Sequence, residues 1–308
     1  MDECVYALAS YNGELYAGGS FVMAGGNPAN YIAKWNGSAW SPLGTGTNGT
    51  VNSLAVYNSE LYTGGLFNTA GGITANGIAK WNGTNWSAVG SGVSGSISAM
   101  QVYNNELYIG GGFSSAGGNP ANGIAKWNGS SWSIVGNGIQ GTGAYLSALT
   151  DYNGELYAGG TFDNAGTVAA ANIARWNGTI WSNVGTGVNG SVQTLGVYQG
   201  ELFAGGVFDT AGNIPANKIA KWNIPTGMQE NLVSDVISVF PNPSKENITI
   251  ILPEQAKIEI LDMEGQIIKT ISNTNLTITI DLRNLSRGIY ILKANADKGI
   301  LIKKFIKQ

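Results

Sequence analysis

The chain has 308 residues, of which 43% are hydrophobic and 11% charged, with a net charge of −3, one cysteine and no histidine. The absence of histidine excludes catalysis by Ser-His-Asp or Cys-His arrangements and any His-ligated metal site. The slightly acidic balance, without a basic stripe, argues against nucleic-acid binding, and no apolar run reaches the length of a membrane-spanning helix.

The composition changes sharply along the chain. Residues 1–223 contain all 9 tryptophans and all but four of the 46 glycines, whereas residues 224–308 are richer in charged and β-branched residues. Residues 224–235 contain turn-forming residues and show no periodic pattern. We therefore predict two domains, residues 1–223 and 236–308, joined by a linker at 224–235.

The first domain is built from repeats. A motif of the type Tyr-Asn-Gly-Glu-Leu-Tyr recurs at intervals of 46, 46, 49 and 46 residues, starting at Tyr11, Tyr57, Tyr103, Tyr152 and Tyr198. Such periods are typical of propeller blades or of helical repeats. Each repeat contains four short β-type runs separated by Gly, Asn and Ser, and this glycine content opposes helix formation. The sequence therefore predicts an all-β fold of about five four-stranded blades, with nineteen strands because the fifth repeat lacks its fourth.

The turns and glycine pairs indicate how a blade is made. Asn12-Gly13 and Asn153-Gly154 are typical of two-residue type I′ hairpins, and Asn36-Gly37 predicts a tight turn between the third and fourth strands. A Gly-Gly pair lies in the second strand of every repeat, where we expect a large ring of the neighbouring blade, a repeated Trp, to approach closely. The Trp pairs themselves either pack between blades or stack on sugars, and packing is the favoured interpretation.

Part of each repeat resembles a known family. Leu61-Tyr62-Thr63-Gly64-Gly65 and the later Trp86-Ser87-Ala88-Val89-Gly90 resemble the kelch-like β-propellers. The resemblance implies a propeller over residues 1–223. The repeats depart from that family in Trp-Asn-Gly-x-x-Trp and in the loop Ala-Gly-Gly-x-x-Ala-Asn.

The first repeat begins abruptly. When the repeats are aligned, Met1 is in register with Thr47 and Val188, inside the loop between two blades. We therefore expect the natural protein to begin upstream of Met1, with at least one further strand.

The second domain contains seven β-branched runs between residues 236 and 306, which predict a small seven-stranded Ig-like β-sandwich. Four ordered motifs lie in these runs, and they resemble the type A C-terminal sorting domain of the type IX secretion system. Their residues are Pro241, Asn242 and Pro243; Asp262 and Gly265; Gly288 and Tyr290; and Lys303 and Lys304.

That resemblance implies export across the outer membrane of a Gram-negative cell, after periplasmic transit. Its implied partners are the type IX translocon and a sortase-like peptidase that removes the domain. The alternative is that these residues only form turns and edges, since prolines at 241 and 243 would end strand pairing and Gly265 would supply a positive φ in a hairpin.

No catalytic, metal-binding or cofactor-binding residues are predicted in the repeats. One Glu and one Lys or Arg recur in every repeat, which favours a structural role because an active site breaks symmetry. The repeats differ most in a three-residue insertion after the third blade, so Gly141, Thr142, Gly143 and Tyr145 are the candidate ligand contacts. A neutral surface insertion is the alternative.

These observations favour a secreted or surface-displayed, non-enzymatic propeller that binds a glycan or a surface protein. Two alternatives stay open. The first is a secreted polysaccharide lyase or hydrolase that uses Tyr, Asp or Glu, and the second is a passive structural component of the cell surface.

Overall fold

The computed structural model describes residues 1–222, 238–252, 255–262, 266–272, 275–296 and 299–308. The chain divides into two compact units, Met1–Asn223 and Ile224–Gln308. The linker predicted at residues 224–235 lies outside the described residues. None of the described residues forms a helix, and so none forms a helix able to cross a membrane.

The first unit consists of five antiparallel sheets, one from each repeat, whose strands follow one another across the sheet in chain order. The first sheet contains Val5–Tyr11, Glu14–Gly19, Ile32–Trp35 and Trp40–Pro42; the second contains Thr50–Tyr57, Glu60–Leu66, Ile78–Trp81 and Trp86–Ala88. The third contains Ser96–Tyr103, Glu106–Gly112, Ile124–Trp127 and Trp132–Ile134; the fourth contains Tyr145–Tyr152, Glu155–Thr161, Ile173–Trp176 and Trp181–Asn183. The fifth contains Ser191–Tyr198, Glu201–Val207 and Ile219–Trp222. The predicted all-β fold and its blades are confirmed.

Short hairpins between the second and third strands of each sheet were not expected from the sequence. Each pairs two-residue strands, which are too short to leave a periodic pattern. They are Met23–Ala24 with Asn27–Pro28, Thr69–Ala70 with Ile73–Thr74, Ser115–Ala116 with Asn119–Pro120, Asn164–Ala165 with Val168–Ala169, and Thr210–Ala211 with Ile214–Pro215. The fourth hairpin also pairs with Ile139–Gln140, which makes it three-stranded.

The two kinds of predicted turn differ in the structure. Asn12 and Gly13 both have positive φ, 50° and 78°, as a type I′ hairpin requires. The turn after the third strand is longer. In the first sheet it spans residues 36–39, with only Gly37 at positive φ, and the Asn36 side chain accepts hydrogen bonds from the amides of Ser38 and Ala39, each at 2.9 Å.

The expectation that a Trp ring approaches the glycine pairs is wrong. The first glycine of a pair instead receives an aliphatic side chain from the next sheet: a Cβ added at Gly64 would lie 2.7 Å from Cγ2 of Ile97. The second glycine of the pair lies close to the first strand of its own sheet, which has a bulge at this point. A Cβ at Gly65 would overlap the carbonyl oxygen of Thr50. The pairs therefore allow both the bulge and close stacking of sheets.

The sheets are closest at their first two strands, where the first strand of each sheet lies against the first and second strands of the preceding one. The Trp pairs lie on the third and fourth strands of the sheets. Trp86 is buried and its Nε1 donates to the carbonyl of Leu43 in the preceding sheet at 3.0 Å; Trp132 makes the same bond to Val89 at 3.1 Å. The three largest apolar clusters of the first unit thus combine side chains of neighbouring sheets.

The described residues of the second unit form a seven-stranded sandwich, as the sequence predicts. One sheet contains Ser238–Phe240, Asn247–Ile251 and Thr277–Asp281, and the other contains Ile267–Ser272, Ala256–Leu261, Gly288–Ala296 and Gly299–Lys307, in these spatial orders. Alternate residues of both sheets, such as Ile250, Ile260 and Leu292, form one buried core.

Candidate functional sites

The charged residues that recur in the first unit pair with each other. In every sheet the Glu at the start of the second strand contacts the basic residue of the adjacent third strand, at distances between 2.7 and 2.9 Å. The pairs are Glu14–Lys34, Glu60–Lys80, Glu106–Lys126, Glu155–Arg175 and Glu201–Lys221. Across the described residues, no group of three or more His, Cys, Asp or Glu side chains comes together in a way that could hold a metal ion.

The recurring aromatic side chains are also engaged within the fold. The Tyr57 hydroxyl donates to the carbonyl of Asn105 in the next sheet at 3.1 Å, and Tyr11 and Tyr103 make the equivalent bonds. Trp81 and its partner Trp86 are buried, with ring centroids 5.3 Å apart. Buried rings present no open face to a sugar, so the packing interpretation of the inner Trp pairs is the one that the geometry supports.

The inserted loop after the third sheet lies at the surface. Gly141, Thr142 and Gly143 are exposed, and Gly141 has a φ of 141° with the exposed Asp163 close beside it. The amide of Asp163 donates to the carbonyl of Gln140 at 2.9 Å. In other repeats the equivalent amide donates to a polar side chain, such as that of Asn48. The insertion therefore replaces a side-chain acceptor with a backbone carbonyl next to the short hairpin between the second and third strands.

Tyr145 occupies the first position of its sheet, where the second, third and fifth sheets begin with Thr or Ser. Tyr145 is 38% exposed and its ring contacts the preceding sheet. Its hydroxyl is hydrogen-bonded to Oγ of Ser98, and a Cβ at Gly112 would lie 2.9 Å from its ring. The structure thus places Tyr145 at the base of the loop formed by the other three candidates. Sequence reasoning missed Ser98 and Gly112, although Gly112 extends the third glycine pair to a triplet.

In the second unit, the first and last motifs meet at one edge of the sandwich. The Asn242 side chain donates to the carbonyl of Lys304 at 3.2 Å and accepts from the amide of Ile306 at 2.9 Å. The buried Ser244 continues the contact, because its amide donates to the Ile306 carbonyl at 2.9 Å and its carbonyl accepts from Gln308 at 2.8 Å. We call residues 241–244 with the last strand, Gly299–Lys307, the terminal edge.

The third motif lies beside the last strand, which carries the fourth. Gly288 begins the sixth strand, and Tyr290 donates its hydroxyl to the Ser286 carbonyl at 2.9 Å while its ring stacks on Phe305 of the last strand. Lys303 and Lys304 both lie on the last strand, and Lys304 is exposed, as are Pro241 and Pro243.

The second motif lies in a hairpin that joins the strands Ala256–Leu261 and Ile267–Ser272. The Asp262 carboxylate accepts a hydrogen bond from the amide of Gln266 at 2.8 Å. Gly265, predicted at positive φ in this hairpin, lies outside the described residues. The structure therefore brings the first, third and fourth motifs together around the last strand and places Asp262 in a separate hairpin.

Comparison with known families gives a match in the second unit. Residues 238–308 match the family described as the secretion system C-terminal sorting domain. The second unit is therefore a sorting domain of the type IX secretion system, and the protein is exported to the cell surface or exterior of a Gram-negative bacterium. No curated protein matches the chain.

Several solved structures share a distant likeness. The chain is 14% identical to PorZ, an essential surface component of the type IX secretion system of Porphyromonas gingivalis, with a TM-score of 0.41 over 99% of this chain and 51% of PorZ. It is 14% identical to the extracellular domain of the putative one-component system BT4673 from B. thetaiotaomicron, with a TM-score of 0.45 over 99% of this chain and 43% of that one. The computationally designed protein Ika8 gives 14% identity and a TM-score of 0.39 over 98% and 96% of the two chains.

The chain spans about half the length of the first two of these structures. At this level of similarity, the likeness carries no information about ligand or activity.

Proposed function

We propose that the terminal edge is the surface by which the type IX translocon recognises this protein, and that a sortase-like peptidase then removes the second unit. The proposal is supported by Asn242, whose two hydrogen bonds fix the Pro-Asn-Pro segment on the last strand. Pro241, Pro243 and Lys304 are exposed beside these bonds. Motifs more than sixty residues apart thereby form one surface, which turns and edges of a sandwich do not require.

Export of the full chain tests this role. Asn242→Ala removes both side-chain bonds to the last strand, and Lys304→Ala removes an exposed charge from the same edge. Both variants should accumulate in the periplasm of a type IX-competent host. Lys269→Ala is the matched control, because Lys269 lies on the strand at the opposite side of the same sheet. Normal export of both edge variants would contradict the proposal.

We further propose that the first unit is a kelch-like, non-enzymatic binding module for adhesion at the cell surface. In its inner sheets the recurring Glu and Lys side chains pair with each other, and the recurring Trp pairs are buried. Tyr57 and Trp86 each donate a hydrogen bond to the backbone of a neighbouring repeat, which supports a structural role for the repeated side chains. Binding on a rigid β scaffold is commonly carried by loops.

The inserted loop is the proposed contact surface. It places the exposed Thr142, the half-exposed ring of Tyr145 and the carboxylate of Asp163 on one side of the unit. A hydroxyl, an aromatic ring and a carboxylate match the hydrogen-bonding and stacking needs of a glycan, and equally a polar loop of a surface protein.

Binding assays with the full chain on a glycan array and on intact cells test this assignment. Thr142→Ala and Tyr145→Ala should weaken saturable binding, whereas Thr179→Ala, an exposed threonine in a turn of the fourth sheet, should not. Incubation with polysaccharides separates the alternatives. Turnover would support the enzyme, and the absence of any saturable binding would support a passive surface component.

A further inference from the structure

The insertion after the third sheet changes the surroundings of one carboxylate. In the fifth repeat, the side-chain amide of Asn189 donates to the Asp209 carboxylate at 2.6 Å, and the Asn189 side-chain oxygen accepts from the Asp209 amide at 3.0 Å. Asp163 occupies the same position in the fourth repeat, but its amide donates to the backbone carbonyl of Gln140. Within the part of the chain that the structure describes, the Asp163 carboxylate receives no hydrogen bond and forms no ion pair.

The Asp163 carboxylate is also uncovered on the side of the inserted loop. A Cβ at Gly141 would lie 2.8 Å from Oδ2 of Asp163, so a larger residue at this position would crowd that oxygen. The basic residue of the same sheet, Arg175, is paired with Glu155 at 2.9 Å, at the end of the sheet away from the loop. An exposed and unpaired negative charge therefore lies beside the loop.

The Tyr145 ring is held in place by two residues of the third sheet. The second strand of that sheet ends at Gly112, where the fourth sheet has Thr161. A Cβ at Gly112 would lie 2.9 Å from two atoms of the Tyr145 ring, so the glycine makes room for the ring. Ser98, the bulged residue of the first strand, is hydrogen-bonded to the Tyr145 hydroxyl. The ring is thus oriented by the fold, and part of it stays exposed.

The ring and the carboxylate lie at the same end of the fourth sheet. Tyr145 is opposite Thr161 in the strand pairing, and Asp163 follows Thr161 by two residues. An aromatic ring can stack on the apolar C–H face of a sugar. A carboxylate accepts hydrogen bonds from hydroxyl groups through two oxygens, and it repels other negative charges.

We propose that Tyr145 and Asp163 together select an uncharged glycan and exclude acidic glycans, such as those that contain uronate or sulfate groups. The proposal rests on the proposed function of the inserted loop as the contact surface. Tyr145 supplies the stacking ring, and Asp163 sets the charge preference. Ser98 and Gly112 are positioning residues, because they act through the Tyr145 ring.

The charge preference is tested with the full chain on two uncharged polysaccharides, laminarin and mannan, and on two acidic ones, alginate and chondroitin sulfate. The parent chain should bind an uncharged polysaccharide more tightly than either acidic one. Asp163→Asn keeps the size of the side chain and the backbone bonds but removes the charge, so it should increase affinity for the acidic polysaccharides by about two- to fivefold.

Asp209→Asn is the matched control for this change. It removes an equal charge from the same repeat position, where the carboxylate already accepts a hydrogen bond from Asn189. The control should leave the preference as it is in the parent chain. An equal gain in the two variants would show a general effect of net charge and would overturn the proposal.

The positioning role of Ser98 is tested by a double-mutant cycle on the bound uncharged polysaccharide. Ser98→Ala and Tyr145→Phe remove the same hydroxyl-to-hydroxyl bond and keep the ring, so each should weaken binding by about two- to tenfold. The double variant should bind as each single variant does, because the bond can be lost only once. Ser147→Ala is the control, since Ser147 is the bulged residue of the fourth sheet and should not affect binding.

The results separate this inference from the proposed function. Saturable binding that depends on Tyr145 but favours the acidic polysaccharides would overturn the inference and leave the binding function intact. Losses that add up in the double variant would overturn the positioning role, because Ser98 would then contact the ligand itself. The absence of saturable binding to every glycan and to cells would contradict both. Thermal melts of each variant confirm that the first unit is folded.

Discussion

The two units bury their apolar side chains in different ways. The first repeats one interface between sheets, which the Tyr and Trp of the repeats stabilise, whereas the Glu and Lys of each repeat pair within one sheet. The second has one core between two sheets, and its conspicuous residues meet at an edge although they are far apart in the sequence. In the first unit specificity should therefore arise where the repeat is broken, and in the second where the fold assembles separate motifs.

The largest expected difference between the two units is in their stability at alkaline pH. Burial raises the pKa of Tyr16 and of Tyr62 to about 12, and the carboxylates of Glu14 and Glu60 add to the effect. A raised pKa in the folded state gives stability that is complete below the ordinary value of 10.0 and is lost as the pH rises towards 12.

Tyr108 and Tyr157 are shifted in the same direction, and the second unit has only Tyr290. Tryptophan fluorescence, which reports on the first unit alone, should therefore change cooperatively together with tyrosinate absorbance above pH 10. Tyrosinate formation without a change in fluorescence would show that these hydroxyls ionise in the folded unit.

The repeated interface predicts that equivalent tryptophans differ in effect. Trp132→Ala should reduce the free energy of unfolding by about 3–5 kcal/mol, because it leaves a cavity and removes the hydrogen bond from Trp132 to the Val89 carbonyl. Trp40→Ala, at the same repeat position in the first sheet, should cost less since Trp40 is partly exposed. Urea unfolding measures both, and equal losses would contradict the interface account.

Glycines at equivalent positions should also differ. Gly64→Ala should destabilise the first unit by about 1–3 kcal/mol, because its Cβ would lie 2.7 Å from the buried Ile97. Gly205→Ala should have a smaller effect, since no further sheet lies above it in the part of the chain that the structure describes. Thermal melts of the two variants make the comparison, and a greater loss for Gly205→Ala would oppose it.

The smallest expected effect is in the second unit. The Arg283 guanidinium, which is 2.7 Å from Asp281, lowers the pKa of that carboxyl to about 2. Stability from this pair is present above the ordinary value of 3.8 and is lost as the pH falls towards 2. Arg283→Gln should slightly raise the pH of acid unfolding of the second unit, measured by amide signals of its strands; an unchanged midpoint would mean that the pair adds nothing.

The strands could be predicted from the sequence because their signals are local. The 46-residue repeat places the four runs of each sheet, and the alternation between Asn247 and Ile306 places the sandwich strands. The short hairpins between the second and third strands could not be predicted in this way, because two residues are too few to show an alternation of apolar and polar side chains.

Contacts between sheets were harder to predict because they depend on spatial order. Gly64 signals close packing, but only the stacking order shows that Ile97, and not a tryptophan, fills the space. Likewise, the three-residue insertion made Tyr145 a candidate ligand contact. Its hydrogen bond with Ser98 joins two repeats and could not be predicted from either repeat alone. The hydrogen bond between Asn242 and Ile306 joins residues that are 64 positions apart, so no local sequence pattern predicts it.

Amide hydrogen exchange tests the central claim most directly. If each inner sheet is stabilised by the sheets on both of its sides, then the first strands of the second, third and fourth sheets should exchange most slowly. The strands Val5–Tyr11 and Ser191–Tyr198, each with one open face, should exchange faster. Equal exchange across all five sheets would contradict the account.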